Sequence, residues 1–179
     1  MNNRKQMEEI FIKHKFNDFK WINPQKIVVS YWVRMKCMFG CDEYGKTACC
    51  PPNTPPVDEC QKFFREYTEG VVFHFTKKFP DPEQRHEWSR GINKRLLRLE
   101  HEVFLAGNQK AFMLFMDSCT LCKTCERERI NCKNKKLVRP NPDAMAVDVY
   151  STVRQLNYPI EVLRNYTDTM NRYAFLLIR

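Results

Sequence analysis

No stretch of this 179-residue chain stays apolar long enough to cross a bilayer; "YAFLLI", near its end, is only strand-sized. The first residues, "MNNRKQMEEIFIKHKF", carry charge throughout and offer no apolar h-region, so no secretory leader is expected. The glycine-rich loops that cradle phosphates in P-loop and Rossmann proteins are missing, and no Ser-His-Asp or Cys-His arrangement can be read from the residue order. Histidine is scarce. His14, His74, His86 and His101 stand singly, and each reads as a surface or core side chain rather than a metal ligand, with His74 in "VVFHFT" the best placed. These absences exclude a membrane span and the common nucleotide-binding loops, and they point to a cytoplasmic protein.

What is present is enough for an ordinary core. A hydrophobic content of 43% over 179 residues predicts one domain, 1–179, that does not depend on cross-links to fold. The formal charge of +9 raises nucleic acid as a partner, but the basic residues are scattered through amphipathic segments and read as solvated surface. That charge also counts every cysteine as neutral. Each 4Fe–4S core held by four thiolates is a −2 unit, so two of them would bring the net to about +5.

Periodicity gives an opening helix through Met7, Ile10 and Phe11, then a strand over "KIVVSYWV", Lys26 to Val33. Cys37 to Pro56 follows as irregular structure, then a helix entered through Pro56 and a strand at "GVVFHFT". The longest helix lies in "DPEQRHEWSRGINKRLLRLEHEVFLAGN", with a stripe of Trp88, Ile92, Leu96, Leu99 and Val103 and a stop at Gly107-Asn108. A strand at "AFMLFM" feeds the second cysteine region. A helix entered at Asn141-Pro142, a short element at "YPIEVL" and a last strand at "RYAFLLI" complete the chain. This order predicts an α/β or α+β fold: a central sheet of about four strands flanked by helices. Both cysteine regions follow apparent strands, which would gather two metal-binding loops at one edge.

Nine cysteines in a cytosolic chain point to ligands or catalysts rather than disulfides, and the odd count and the adjacent Cys49-Cys50 pair suit a disulfide framework poorly. The second region reads Cys119-x2-Cys122-x2-Cys125-x6-Cys132. Zinc sites normally use two separate knuckles a dozen or more residues apart, whereas here Cys122 belongs to both pairs. Three closely spaced cysteines with a fourth beyond are the run that bacterial ferredoxins use for a 4Fe–4S cubane, although there the fourth comes sooner and precedes proline. The first region offers Cys37-x3-Cys41-x8-Cys50, with Cys49 and Cys60 as additional thiols, and its spacing leaves zinc open as an alternative. Gly40 and Gly45 let that loop turn tightly. Tyr44, Lys46 and Asn53 flank it as hydrogen-bond donors or as solvated loop residues, and Arg139 would face the clusters' negative charge.

"KCMFGCDEYGKTACCPPNTP" followed by "CTLCKTC…C…RPNPDAMAVDVY" resembles a family of predicted metal-binding proteins, domain of unknown function 2284, found largely in anaerobic bacteria and archaea. Its paired signatures are C-x3-C-x2-YG-x4-CPP and C-x2-C-x2-C…C…RP, and the resemblance covers nearly the whole chain. It implies metal or iron–sulfur binding at Cys37, Cys41, Cys50, Cys119, Cys122, Cys125 and Cys132, with no assigned reaction. Cys49 stands where the signature is expected to hold a small polar residue.

Three functions follow as expectations. The first is a 4Fe–4S protein, with two clusters, acting in electron transfer or as an accessory redox protein of anaerobic metabolism, with a redox partner protein. The second is an enzyme whose three-cysteine cluster leaves one iron open as a Lewis acid. The third is a zinc-stabilised nucleic-acid-binding module. Cys60 divides the first two, since its thiol would close the first site.

Overall fold

The structure, a computed structural model, describes residues 3–81, 83–165 and 167–179. A four-stranded sheet organises it, in the order β1-β2-β4-β3. The strands are β1 Phe19–Ile22, β2 Gly70–Lys77, β3 Phe112–Leu114 and β4 Met170–Leu177, and every ladder is antiparallel. Around them lie α1 Asn3–Lys13, α2 Tyr31–Gly40, α3 Val57–Arg65, α4 Gln84–Leu105 and α5 Val149–Arg154. The mixed fold with about four strands is as the sequence predicts. The antiparallel ladders, however, remove the analogy with parallel sheets on which the shared edge rested.

Alternation along β2 and β4 explains the layering. Val71, Phe73, Ala174, Leu176 and Ile178 face one side, where they pack with Met7 and Phe11 of α1 and with Leu96, Leu99 and Val103 of α4. Val72, Tyr173, Phe175 and Leu177 face the other, against Cys60 and Phe64 of α3 and Val153 of α5. Both faces are therefore dry, and each fully buried Phe or Leu contributes roughly 1.5–3 kcal/mol. The α4 stripe recurs at helical spacing as read from the sequence, and Gly107 ends the helix at φ +96, a conformation glycine adopts freely. Of the stretch read as that helix, Pro82 lies outside the described residues.

The strand expected over Lys26–Val33 is not formed. Pro24–Lys26 is a 3-10 turn, Val29 makes one isolated bridge to Val147, and Tyr31 begins α2. The apolar run is too short for periodicity to separate strand from helix, and the good helix formers Arg34, Met35, Lys36 and Met38 beyond it decide the matter. Consequently Cys37–Gly40 is helical rather than irregular, and the first cysteine region follows a helix. Beyond Asn141 the expected helix is also broken. Asp143–Met145 is a 3-10 turn, Ala146 turns left-handed at φ 58, and α5 starts only after Asp148, whose carboxylate accepts the Ser151 N–H at 2.9 Å. "YPIEVL" forms no regular element.

These departures place the cysteines. The second cysteine region lies beyond edge strand β3, which ends at Leu114, and the chain returns where Phe115 N–H donates to the Pro140 carbonyl at 2.9 Å. The chain then pairs with the entrance to α2 through Ser30 N–H to Ala146 O, 2.9 Å, and Asp148 N–H to Val28 O, 2.7 Å. So the element carrying Cys37 is tied directly to the segment that follows the second loop.

Candidate metal centre

Cys37 lies in the last turn of α2, Cys41 caps that helix, and Cys50 is buried in the following loop. Gly45, at φ +70, donates its N–H to Pro51 O at 2.9 Å and so closes the loop around Cys49 and Cys50. Gly40 serves no such turn, because it is the last helical residue of α2. Arg34 anchors the helix by donating from Nη2 to Pro55 O and Ala144 O, at 3.2 and 3.1 Å. Burial, reinforced by the neighbouring Cys41 and Cys50 thiols, pushes the Cys37 thiol up to about 11.

The adjacent cysteines part company. Cys49 packs in a buried cluster with Ala48, Cys132 and Val138, against Cys119 and Cys125. One cavity is lined by Cys49, Cys119, Cys122, Cys125 and Cys132, together with Ala48, Leu121, Asn134 and Val138. Cys50 is not among its walls. Two N–H donors point at sulfur there: Ala48 N–H at 3.4 Å from Cys125 Sγ and Asn134 Nδ2 at 2.9 Å from Cys122 Sγ. The neighbouring Cys119 and Cys50 sulfurs, together with burial, push the Cys49 thiol up. Its hydrogen bond takes Cys119 and Cys50 each down to about 7, against the opposing effect of burial.

Asn53 locks the two loops together. Its Nδ2 donates to Thr47 O at 3.2 Å and to Arg127 O at 2.8 Å, while its Oδ1 accepts the Arg129 N–H at 3.2 Å. The flanking residue read as a donor to sulfur or a solvated side chain is thus a clamp between segments about 75 residues apart in sequence. Asn134, two residues after Cys132, was not singled out by spacing. Its only sequence signal is its place in "CKNKK".

Arg139, Cys60 and His74 each find partners elsewhere in the fold. Arg139 does not face the cysteines: its Nε pairs with buried Glu100 at 2.9 Å and its Nη1 donates to the carbonyls of Lys136 and Val138. Cys60 is fully buried in the core beside Phe64, with its thiol toward Pro55 O at 3.5 Å. His74 uses both ring nitrogens, on Asp18 Oδ2 at 2.7 Å and Asn171 Oδ1 at 2.8 Å, and stacks on Tyr173.

Among the described residues, no three His, Cys, Asp or Glu side chains converge on one point as a single-ion site does. What the loops provide is a thiol-lined cavity with N–H donors aimed at sulfur, a donor set suited to soft metals and to cluster iron. The chain matches the model of the family described as predicted metal-binding protein (DUF2284) over residues 20–178. It belongs to that family. No curated protein and no solved structure matches it. Among the described residues, no helix is long and apolar enough to cross a membrane.

Proposed function

We propose that this protein holds 4Fe–4S clusters at two sites and passes electrons to a partner protein in the cytoplasm. One observation carries the reading: five thiols line a single cavity into which backbone and side-chain N–H groups point. Hydrogen bonds to sulfur and burial are what set a cluster's potential, and the cluster, once bound, supplies one-electron transfer. Cys119, Cys122, Cys125 and Cys132 are the ligands of the second site by the overlapping C-x2-C-x2-C spacing, which fits zinc poorly. Cys37, Cys41 and Cys50 serve the first. The exposed Trp32, Met35 and Phe39 on α2, the helix that carries Cys37, give a redox partner an apolar face beside that site.

A second reading is favoured by the burial of Cys60 in the core. With three thiols at the first site, one iron would lack a protein thiolate and be open to a substrate oxygen or sulfur as a Lewis acid. Electron paramagnetic resonance of anaerobically prepared, reduced protein tests both. Two cluster signals untouched by added cyanide support the carrier, and a cyanide-sensitive signal supports the open iron. A protein silent in both redox states and loaded with zinc overturns both.

A further inference from the structure

A cubane has four iron corners and five thiols line the cavity of the second site, so one thiol is surplus. Burial divides the five. Cys119, Cys122 and Cys125, the closely spaced run, are half-buried, whereas Cys49 and Cys132 are 5% and 7% exposed and pack together with Ala48 and Val138. The run supplies three ligands from one short loop. The fourth must come from the buried side, where two thiols from different loops lie. Cys132 follows the run by seven residues, while Cys49 comes from the first loop, which is held there by Ala48 N–H on Cys125 Sγ and by the Asn53 clamp.

We propose that Cys49 and Cys132 are alternative fourth ligands of the second site. Either can complete it, with the other left unbound beside it. With Cys50 assigned to the first site, the Cys49-Cys50 peptide then joins the two metal sites whenever Cys49 binds. Ligand exchange at one corner would change the hydrogen bonds to sulfur and so the potential, with no change in iron content. The exchange is a proton-neutral swap: the incoming thiol releases one proton and the outgoing thiolate takes one up. This inference rests on the cluster reading above.

The test uses the full chain, purified anaerobically, as wild type, Cys49→Ala, Cys132→Ala and the double variant. Iron and acid-labile sulfide are counted, the resonance spectrum of the reduced state is recorded, and far-UV circular dichroism checks folding. Each single variant is expected to keep wild-type iron, with a shifted second-site signal in Cys132→Ala. The double variant is expected to lose about half of the total iron. Should the double variant not fold, Cys132→Ala decides alone: retained iron with a shifted signal that added cyanide leaves unchanged supports the exchange, and a cyanide-sensitive second-site signal, the mark of a three-thiol site, overturns it. Loss of half the iron in Cys132→Ala, with an iron-replete wild type, overturns the exchange and leaves the cluster reading standing. Wild type without iron and sulfide overturns both.

Discussion

The backbone N–H of Ala48 lies 3.4 Å from Cys125 Sγ, across 77 residues of chain. This contact, with the Asn53 clamp beside it, makes the two cysteine regions one structure. Each loop thus supplies a hydrogen-bonding partner that the other lacks on its own.

Asn53→Ala should therefore loosen both regions at once. It leaves the Arg127 carbonyl and the Arg129 N–H without their side-chain partner. Both bonds are exposed, so we expect a loss of about 0.5–1.5 kcal/mol in chemical denaturation. Metal-free protein should also show faster alkylation of Cys125 and Cys132 than wild type. Unchanged stability and alkylation rates would remove the clamp from the account.

Cys60→Ala should cost core packing and leave the metal sites intact. The thiol is fully buried beside Phe64, so its removal should destabilise the protein by roughly 1–2 kcal/mol. Iron per chain should stay at the wild-type level. A variant that folds normally but loses iron would return Cys60 to the first site.

Glu100 closes the second loop from below. One of its carboxylate oxygens accepts the Met113 N–H and pairs with Arg139 Nε, both at 2.9 Å. Glu100→Ala strands a buried N–H and the Arg139 guanidinium, so a loss of about 2–4 kcal/mol is expected, and Glu100→Gln should cost less because it still accepts from Met113. Equal effects of the two substitutions in urea denaturation would contradict this role.

Glu69 supplies a pH dependence. Burial tends to raise its carboxyl, but hydrogen bonds and charge from Arg4 and Arg179 outweigh it and hold the group below its ordinary value. A depressed carboxyl contributes stability that is present above its unfolded value, about 4.3, and is lost as the pH falls through the lower folded value. The pair is partly exposed, so Glu69→Gln should cost only about 0.5–1 kcal/mol at pH 7. That difference should shrink steadily as the pH falls from about 5 through the acid range. A difference that persists undiminished at pH 3 would contradict the linkage.

How much of this was legible in the sequence depended on where the deciding contact lay. The α4 stripe and the apolar runs of β2 and β4 are readable because each pattern lies within its own residues. Lys26–Val33 departs from its strand-like composition because its strand pairing amounts to one bridge, Val29 to Val147, while its helical continuation lies further along the chain. Cys60 carried a usable signal: with Val57 and Phe64 it marks the core face of α3. Cys49 carried none. Which of two adjacent thiols turns toward Cys119 is fixed by contacts some 70 to 77 residues away, and no local pattern encodes that.

The central claim is tested most directly by metal and sulfide analysis of the wild-type chain, expressed and purified without oxygen. Two 4Fe–4S clusters predict a brown protein with about eight iron and about eight acid-labile sulfide per chain. A colourless protein carrying only zinc, with no sulfide, would contradict the account.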